Sequence, residues 1–152
     1  MRTLIYKRTH SGDPDPETGT FGNADCMGQV RRWDFEAVIG VGGIGRQAAR
    51  EGIAGKVTWV GIGPHKSPGR WRGPLVTFDR FVYYGEDGPP LRAIAPALAR
   101  RMLDRNVRAV MHGLSHQERR EVALILDMAR AEPRSPRRRP KRRRRPKARG
   151  PC

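Results

Sequence analysis

The last twenty residues of the chain constrain its fold more than any other segment. Residues 133–152 contain eleven Lys or Arg, five Pro and no acidic residue. Like charges repel, large apolar side chains are absent, and proline breaks helices, so this segment has no means of forming a packed core. The sequence therefore predicts one globular domain over residues 1–132, followed by a disordered Arg/Pro-rich tail over residues 133–152.

The positive charge is concentrated in the same C-terminal segment. The formal net charge is +16, whereas residues 1–132 hold 20 basic and 15 acidic residues and a net charge of +5. A basic arm of this kind attracts a polyanion, because each phosphate contact releases counterions. We therefore expect DNA or RNA as the partner, with Arg138 and Arg143 among the phosphate contacts. The alternatives are a tail that only confers solubility, or a nonfunctional extension.

Other classes of protein are disfavoured by what the sequence contains. No stretch approaches the roughly 20 apolar residues of a membrane span, so we expect no membrane association. The two cysteines, Cys26 and Cys152, do not suggest a structural disulfide, and a cytoplasmic location fits. The spacing of Cys and His does not suggest a metal site, and we expect no cofactor. Cys26 is interpreted as a small buried residue rather than a nucleophile.

The order of secondary structure predicts an α+β domain. A strand is expected at residues 3–8, a turn-rich loop at 9–25, and further strands at 37–41, 56–62 and 75–84. In the strand at 75–84, alternation groups Leu75, Phe81 and Tyr83 on one face, and Val76, Phe78, Val82 and Tyr84 on the other.

Helical spacing follows. It begins near Ile94, with Pro96 in a first turn, and ends near Asn106, before a short strand at 107–111. A second helix begins after Ser115, which forms a capping-box pattern with Glu118, and it stops at Glu132. Strands that precede helices favour a mixed sheet over repeated βαβ units.

A glycine motif follows the second predicted strand. Gly40, Gly42 and Gly45 satisfy the spacing G-x-G-x-x-G, with Gly43 as an additional glycine. In dinucleotide-binding and ThiF-like enzymes such a segment cradles phosphate at a helix N-terminus. Here the following helix would be short, and the next strand ends without an acidic residue for a ribose hydroxyl. A glycine-rich turn or bulge between two barrel strands is the favoured interpretation, and an ATP- or NAD-binding enzyme is the alternative.

The loop after residue 63 combines basic and aromatic residues. Lys66, Arg70 and Arg72 are candidate phosphate contacts, and Trp71 is a candidate for stacking on a base. A solvated hairpin loop is the competing interpretation. The carboxylates in the first long loop, Asp13, Asp15 and Glu17, are interpreted mainly as turn-forming residues, and acid–base work or Mg²⁺ binding is the alternative.

Several segments together resemble the nucleotide-modification-associated domains of the second type. The likeness covers roughly residues 4–91. It is carried by Ile-Tyr-Lys-Arg-Thr-His at 5–10, Asp-Cys-Met-Gly-Gln-Val-Arg at 25–31, Phe-Glu-Ala-Val-Ile-Gly at 35–40, the aromatic strand at 76–85, and Pro-Pro-Leu at 89–91. The glycines at 42–45 and the basic tail depart from the family pattern.

The resemblance implies a fold and a ligand. Such domains are thought to be related to PUA-, EVE- and ASCH-like barrels, which bind RNA or modified DNA bases. It implies a small mixed PUA-like β-barrel, followed here by two C-terminal helices, and a module that accompanies DNA base modification or recognises a modified base. In such a pocket Tyr83 and Trp71 would stack, and Arg31, Lys66, Arg70 and Arg72 would hold phosphates. Whether a reaction is catalysed is left open, and a binding module is favoured over an enzyme.

Overall fold

The computed structural model describes residues 1–8, 14–20, 34–67 and 75–133, and these form an α+β fold. The strands are β1 (Thr3–Arg8), β2 (Ala37–Gly42), β3 (Val57–Ser67), β4 (Leu75–Tyr83) and β5 (Ala109–Val110). The helices are α1 (Arg46–Arg50), α2 (Leu91–Ile94), α3 (Pro96–Ala99) and α4 (His116–Ala131), with a 3-10 turn at Gly85–Asp87 and a π-helical turn at Arg100–Asp104. The expected order, strands first and the main helices last, is confirmed.

The five strands form one mixed sheet. Their order is β4-β3-β2-β1-β5. β1 and β2 run parallel, and every other neighbouring pair is antiparallel. Among the described residues β4 and β5 are the two edges of an open sheet, so the closure expected of a barrel is not present in this part of the chain.

The central strands carry two separate cores. Every residue of β1 and β2 is buried, because both faces of the sheet are covered there. On the helical face, Ile5 and Ile39 pack with Leu98 and Ile125. On the opposite face, alternate residues of the same strands join an aromatic cluster that includes Trp59. The continuous apolar runs in the sequence follow from this burial on both faces.

The hairpin of β3 and β4 is kinked, and this overturns the expected alternation. Ile62 pairs with Arg80 and Pro64 pairs with Phe78, whereas Gly63 between them has a φ of +71°. Beyond this point the side chains change face. Phe78 and Val76 therefore lie in the aromatic cluster with Phe81, not with Val82 and Tyr84, which pack on the helical side.

The first predicted C-terminal helix is broken into three pieces. Ala95 leaves helical geometry, with φ −146° and ψ 68°, and α3 begins at Pro96. A residue before proline is disfavoured in the α region, and proline is tolerated at the first helical position. Pro96 in a first turn is thus confirmed, while the single helix ending near Asn106 is replaced by α2, α3 and the π-helical turn.

Two buried carboxylates on α4 hold this broken segment in place. Glu121 accepts hydrogen bonds from the backbone N–H groups of Ala97 (3.1 Å) and Leu98 (2.9 Å), which α3 itself leaves unsatisfied. Glu118 binds the Arg101 guanidinium at 2.5 and 2.6 Å. The predicted capping box is also confirmed, because Ser115 Oγ accepts from the Glu118 N–H and the Glu118 carboxylate accepts from the Ser115 N–H.

A buried lysine closes the other end of the same segment. Lys7 on β1 donates from Nζ to the carbonyl oxygen of Met102 (2.6 Å) and to Asn106 Oδ1. A cation at a helix C-terminus is favourable because the terminal carbonyls carry partial negative charge. Burial, together with the nearby Arg108, lowers the pKa of Lys7. The central strand is therefore fastened directly to the helical layer.

We expect Glu118→Gln to lower the free energy of unfolding by about 1–3 kcal/mol at neutral pH, because Arg101 loses its charged acceptor. The hydrogen bonds from Arg101 are the main cause that lowers the pKa of Glu118 from 4.5 to about 2. A carboxyl whose pKa is depressed on folding contributes stability above its unfolded pKa and loses it as the pH falls through the folded pKa.

Urea unfolding of the wild type and the variant at several pH values tests this. The difference between them should shrink as the pH falls from 4.5 to about 2. Glu86→Gln, at an exposed carboxylate, is the control and should change stability little. A difference that stays constant over this range would contradict the assignment.

Candidate nucleic-acid interface

Two of the predicted nucleic-acid-binding residues, Lys66 and Tyr83, lie in the described part of the chain. The others lie outside the described residues: Arg31, Arg70, Trp71, Arg72, Arg138 and Arg143. The predictions for those six positions therefore stay predictions, as does the predicted disordered tail.

Lys66 and Tyr83 do not share a site. Lys66 is exposed near the end of β3, opposite Val76, and its Nζ lies 4.9 Å from the centroid of the Phe35 ring. Tyr83 lies at the far end of the hairpin, opposite Trp59. The two rungs are seven residues apart along β3, which corresponds to about 20 Å. A single pocket with Tyr83 stacking on a base and Lys66 on the adjacent phosphate is therefore not formed.

The structure instead shows a continuous aromatic stripe, formed by Trp59, Phe78, Phe81 and Tyr83. Phe78 and Phe81 lie 5.8 and 6.0 Å from Trp59 between ring centroids, and Tyr83 lies 6.5 Å from Phe81. Trp59 is buried, whereas Tyr83 is 36% exposed. The sequence analysis missed Trp59, Phe78 and Phe81 as one set, because the kink at Gly63 alone brings Phe78 onto this face.

The rings of the stripe pack over two glycines, Gly40 and Gly61, which have no side chains. A Cβ atom on Gly40 would lie 1.9 Å from Trp59 Nε1, and one on Gly61 would lie 2.6 Å from the Phe78 ring. Glycine is required at both positions because the rings rest directly on the backbone of the sheet. The aromatic face is thus a packed layer with its edge at Tyr83.

Part of the first long loop packs against this stripe. Residues 14–20 form a turn in which the Asp15 carboxylate accepts from the Glu17 N–H (2.9 Å) and the Asp15 N–H donates to the Thr20 carbonyl (3.0 Å). Gly19 has a φ of +68° and lies against the Phe81 ring. The interpretation of Asp15 as a turn-forming residue is confirmed.

The glycine motif does not belong to a dinucleotide-binding unit. β2 and β3 are antiparallel neighbours, and α1 between them has only five residues. A Rossmann-type crossover needs two parallel strands joined by a longer helix, so the predicted Rossmann-like alternative is wrong in its architecture. The favoured interpretation is a turn or bulge between two barrel strands. The register shift at Gly40 and Val41 shows a bulge between two neighbouring strands, whereas the described residues show no closed barrel.

Each glycine of the motif has a local role. Besides Gly40 under Trp59, a Cβ on Gly42 would lie 1.8 Å from the carbonyl oxygen of Ile53. The Gly43 N–H donates to the Arg8 carbonyl (2.6 Å), and the Gly45 carbonyl accepts from the Ala49 N–H (3.1 Å). Close packing therefore accounts for glycine at residues 40 and 42, and the backbone groups of Gly43 and Gly45 take part in the turn that follows β2.

The start of the basic arm is fixed to the sheet. Arg80 on β4 donates from Nε to the carbonyl of Ala129 (2.8 Å) and from Nη2 to the carbonyl of Glu132. Ala129 is in the last turn of α4, where the carbonyls have no partner within the helix, and Glu132 is the C-cap residue. Glu132 and burial also raise the pKa of Tyr84, with burial the larger cause. The chain therefore enters residues 133–152 beside strand β4.

The described surface is close to neutral. Residues 1–8, 14–20, 34–67 and 75–133 hold 16 basic and 13 acidic residues, a net charge of +3. Most of the chain's charge of +16 therefore belongs to residues outside the described ranges. In the described part of the chain no helix is long and apolar enough to cross a membrane, and no three His, Cys, Asp or Glu residues are grouped for a metal.

A groove of about 590 Å³ lies at the other edge of the sheet, beside β5. Its floor is apolar, with Ala109, Val110 and Met111, and Arg2, Asp34 and His112 form its rim. Arg2 is already paired with Asp34 at 3.2 Å, so the rim offers little charge for an anion. Sequence reasoning did not identify this groove, because its lining comes from three separate segments.

Comparison with known proteins finds no matching family model, no matching curated protein and no matching solved structure.

We expect Gly42→Ala to destabilise the protein by about 1–3 kcal/mol, because the new methyl group meets a backbone carbonyl that cannot move freely. Thermal unfolding measures this, and Ile44→Ala, at an exposed side chain of the same segment, is the control and should have little effect. Titration with ATP and NAD completes the test. If the wild type binds either nucleotide and a folded Gly42→Ala protein does not, packing is not the role of this glycine.

Proposed function

We propose that this chain is a nucleic-acid-associated binding module that uses its basic arm to contact backbone phosphates. The observation that supports this most directly is the run of eleven basic residues without one acid in residues 133–152. Arginine predominates, and its planar guanidinium matches phosphate geometry in a bidentate manner. DNA and RNA both present backbone phosphates, so phosphate contacts by the arm do not discriminate between DNA and RNA.

The anchoring of α4 adds a geometric argument. Arg80 holds the carbonyls of Ala129 and Glu132 at β4, so a polyanion attracted by the arm is brought to this edge of the sheet. The described surface, with a net charge of +3, exerts only a weak long-range field. The arm therefore supplies most of the sequence-independent affinity, and the folded part would contribute selectivity at short range.

The resemblance to nucleotide-modification-associated domains supports a more specific proposal. In that proposal the domain is PUA-like, acts in the cytoplasm and recognises a modified base. Tyr83, at the exposed end of the aromatic stripe, is the described residue placed to stack on an extruded or single-stranded base.

We expect removal of residues 134–152 to weaken binding to DNA and RNA and to make the dependence of log K on log salt shallower, since fewer counterions are released. Affinity measured by fluorescence anisotropy over a salt series tests this. The described fold ends at Pro133 and retains the contacts of Arg80, so circular dichroism should be unchanged. An unchanged salt slope in a folded truncated protein would show that the arm touches no phosphates.

A separate expectation concerns the base. Tyr83→Ala should weaken binding to a short single-stranded oligonucleotide by about 1–3 kcal/mol if a base stacks there. Thr77→Ala, at another exposed position of β4, is the matched control. Equal affinities for Tyr83→Ala and the control, on both modified and unmodified strands, would exclude Tyr83 as the stacking residue.

A further inference from the structure

Seven exposed arginines make no ion pair and donate no side-chain hydrogen bond among the described residues: Arg46, Arg50, Arg100, Arg105, Arg108, Arg119 and Arg120. Four of them lie on the segments that directly follow Arg101 or Glu118 in the chain: Arg105, Arg108, Arg119 and Arg120. By contrast, Arg2, Arg92, Arg101 and Arg130 are each paired with a carboxylate. Arg105, Arg108, Arg119 and Arg120 are called the arginine cluster below.

The arginine cluster lies at one end of the helical layer, around the ion pair of Arg101 and Glu118. Arg119 and Arg120 directly follow Glu118 on α4. Arg105 lies one turn beyond Arg101, and the backbone at residue 107 folds back to donate to the Arg101 carbonyl (3.3 Å). The backbone carbonyl of Arg108 then accepts a hydrogen bond from the Lys7 N–H (2.9 Å). Arg105 thus follows one partner of the Arg101–Glu118 contact, Arg119 and Arg120 follow the other, and Arg108 lies beside β1.

The nearby acids are already committed. Glu118 binds Arg101, and Asp104 binds Arg92 at 2.5 and 3.1 Å. The Lys7 ammonium donates to the neutral oxygens of Met102 and Asn106. Burial lowers the pKa of Lys7, and repulsion by the Arg108 charge lowers it further. Positive charge at this end of the molecule is thus left without internal compensation.

Helix stability does not explain two of these residues. Arg119 and Arg120 lie near the N-terminus of α4, where cations oppose the helix dipole. Their neighbours four residues before and after are Ser115, His116, Ala123 and Leu124, so neither arginine has a helical ion pair. What distinguishes these four guanidinium groups from the other unpaired arginines is their concentration around one end of the helical layer, and guanidinium groups suit bidentate contact with phosphate.

We propose that the arginine cluster is a second phosphate-contacting surface for a nucleic-acid backbone, separate from the arm. This inference rests on the proposed function and extends it to the folded domain. The 16 residues of α4 rise about 24 Å from the cluster to the anchored start of the arm. At about 3.4 Å per step this distance spans roughly seven nucleotides of one strand. One nucleic acid can therefore meet both ends of α4 at once.

The test uses the full chain and three double variants of identical net charge. Two of them change the cluster, Arg105→Gln with Arg108→Gln, and Arg119→Gln with Arg120→Gln. The matched control is Arg46→Gln with Arg50→Gln, because these α1 arginines are also exposed and unpaired but are neighbours of neither Arg101 nor Glu118 in the chain. Fluorescence anisotropy over a salt series, with a DNA duplex and an RNA of about twenty nucleotides, gives the affinities and the salt slopes.

Each cluster variant should bind about tenfold more weakly at low salt, and its salt slope should fall by about two because two phosphate contacts are lost. The control should stay within about twofold of the wild type. If all three variants bound nucleic acid equally weakly, the loss of affinity would follow from net charge alone, and the proposed role of the cluster would be wrong.

The same experiment separates the inference from the proposed function. A wild-type chain that binds neither DNA nor RNA at low salt refutes the proposed function itself. A wild type that binds, with cluster variants indistinguishable from it, leaves the proposed function standing and refutes the cluster. Flotation with phosphatidylcholine–phosphatidylserine vesicles identifies a membrane surface instead, if the cluster variants lose vesicle binding but retain nucleic-acid binding.

Discussion

The helical layer depends on two buried carboxylates of α4. Glu121 supplies the acceptors that α3 lacks because Pro96 starts it without a side-chain cap, and Glu118 binds Arg101 while closing its own capping box. Both carboxylates are buried, and a buried charge is tolerated only when it is paired. Their partners therefore fix the position of α4, and α4 in turn determines where its two ends present positive charge.

Positive charge lies near both ends of α4. At its C-terminus Arg80 fixes the last carbonyls beside β4, and the basic arm follows. At its N-terminus the arginine cluster is unpaired because Glu118 and Asp104 are occupied. The described residues as a whole, with the cluster included, carry a net charge of only +3.

The face of the sheet opposite the helices is organised by close approach of rings and backbone. Trp59 rests on Gly40 and Phe78 rests on Gly61, so Gly40, which looks like a nucleotide-binding or turn residue in the sequence, is a packing residue in the structure, as is Gly61. The same constraint explains why the motif around Gly42 resembles a phosphate loop without its parallel strands. Here glycine provides space rather than conformational freedom.

The sequence by itself determined the local features of this protein. The turn at Asp15, the capping box of Ser115 and Glu118, and Pro96 at a helix start follow from short-range chemistry, and each is found. The excess of positive charge also follows from composition alone. The tertiary structure decided which distant groups meet. A single positive φ at Gly63 moved Phe78 to the other face, and Lys66 and Tyr83 were separated along one hairpin. Which arginines remain unpaired depends on contacts between residues far apart in the chain, and no local pattern encodes such contacts.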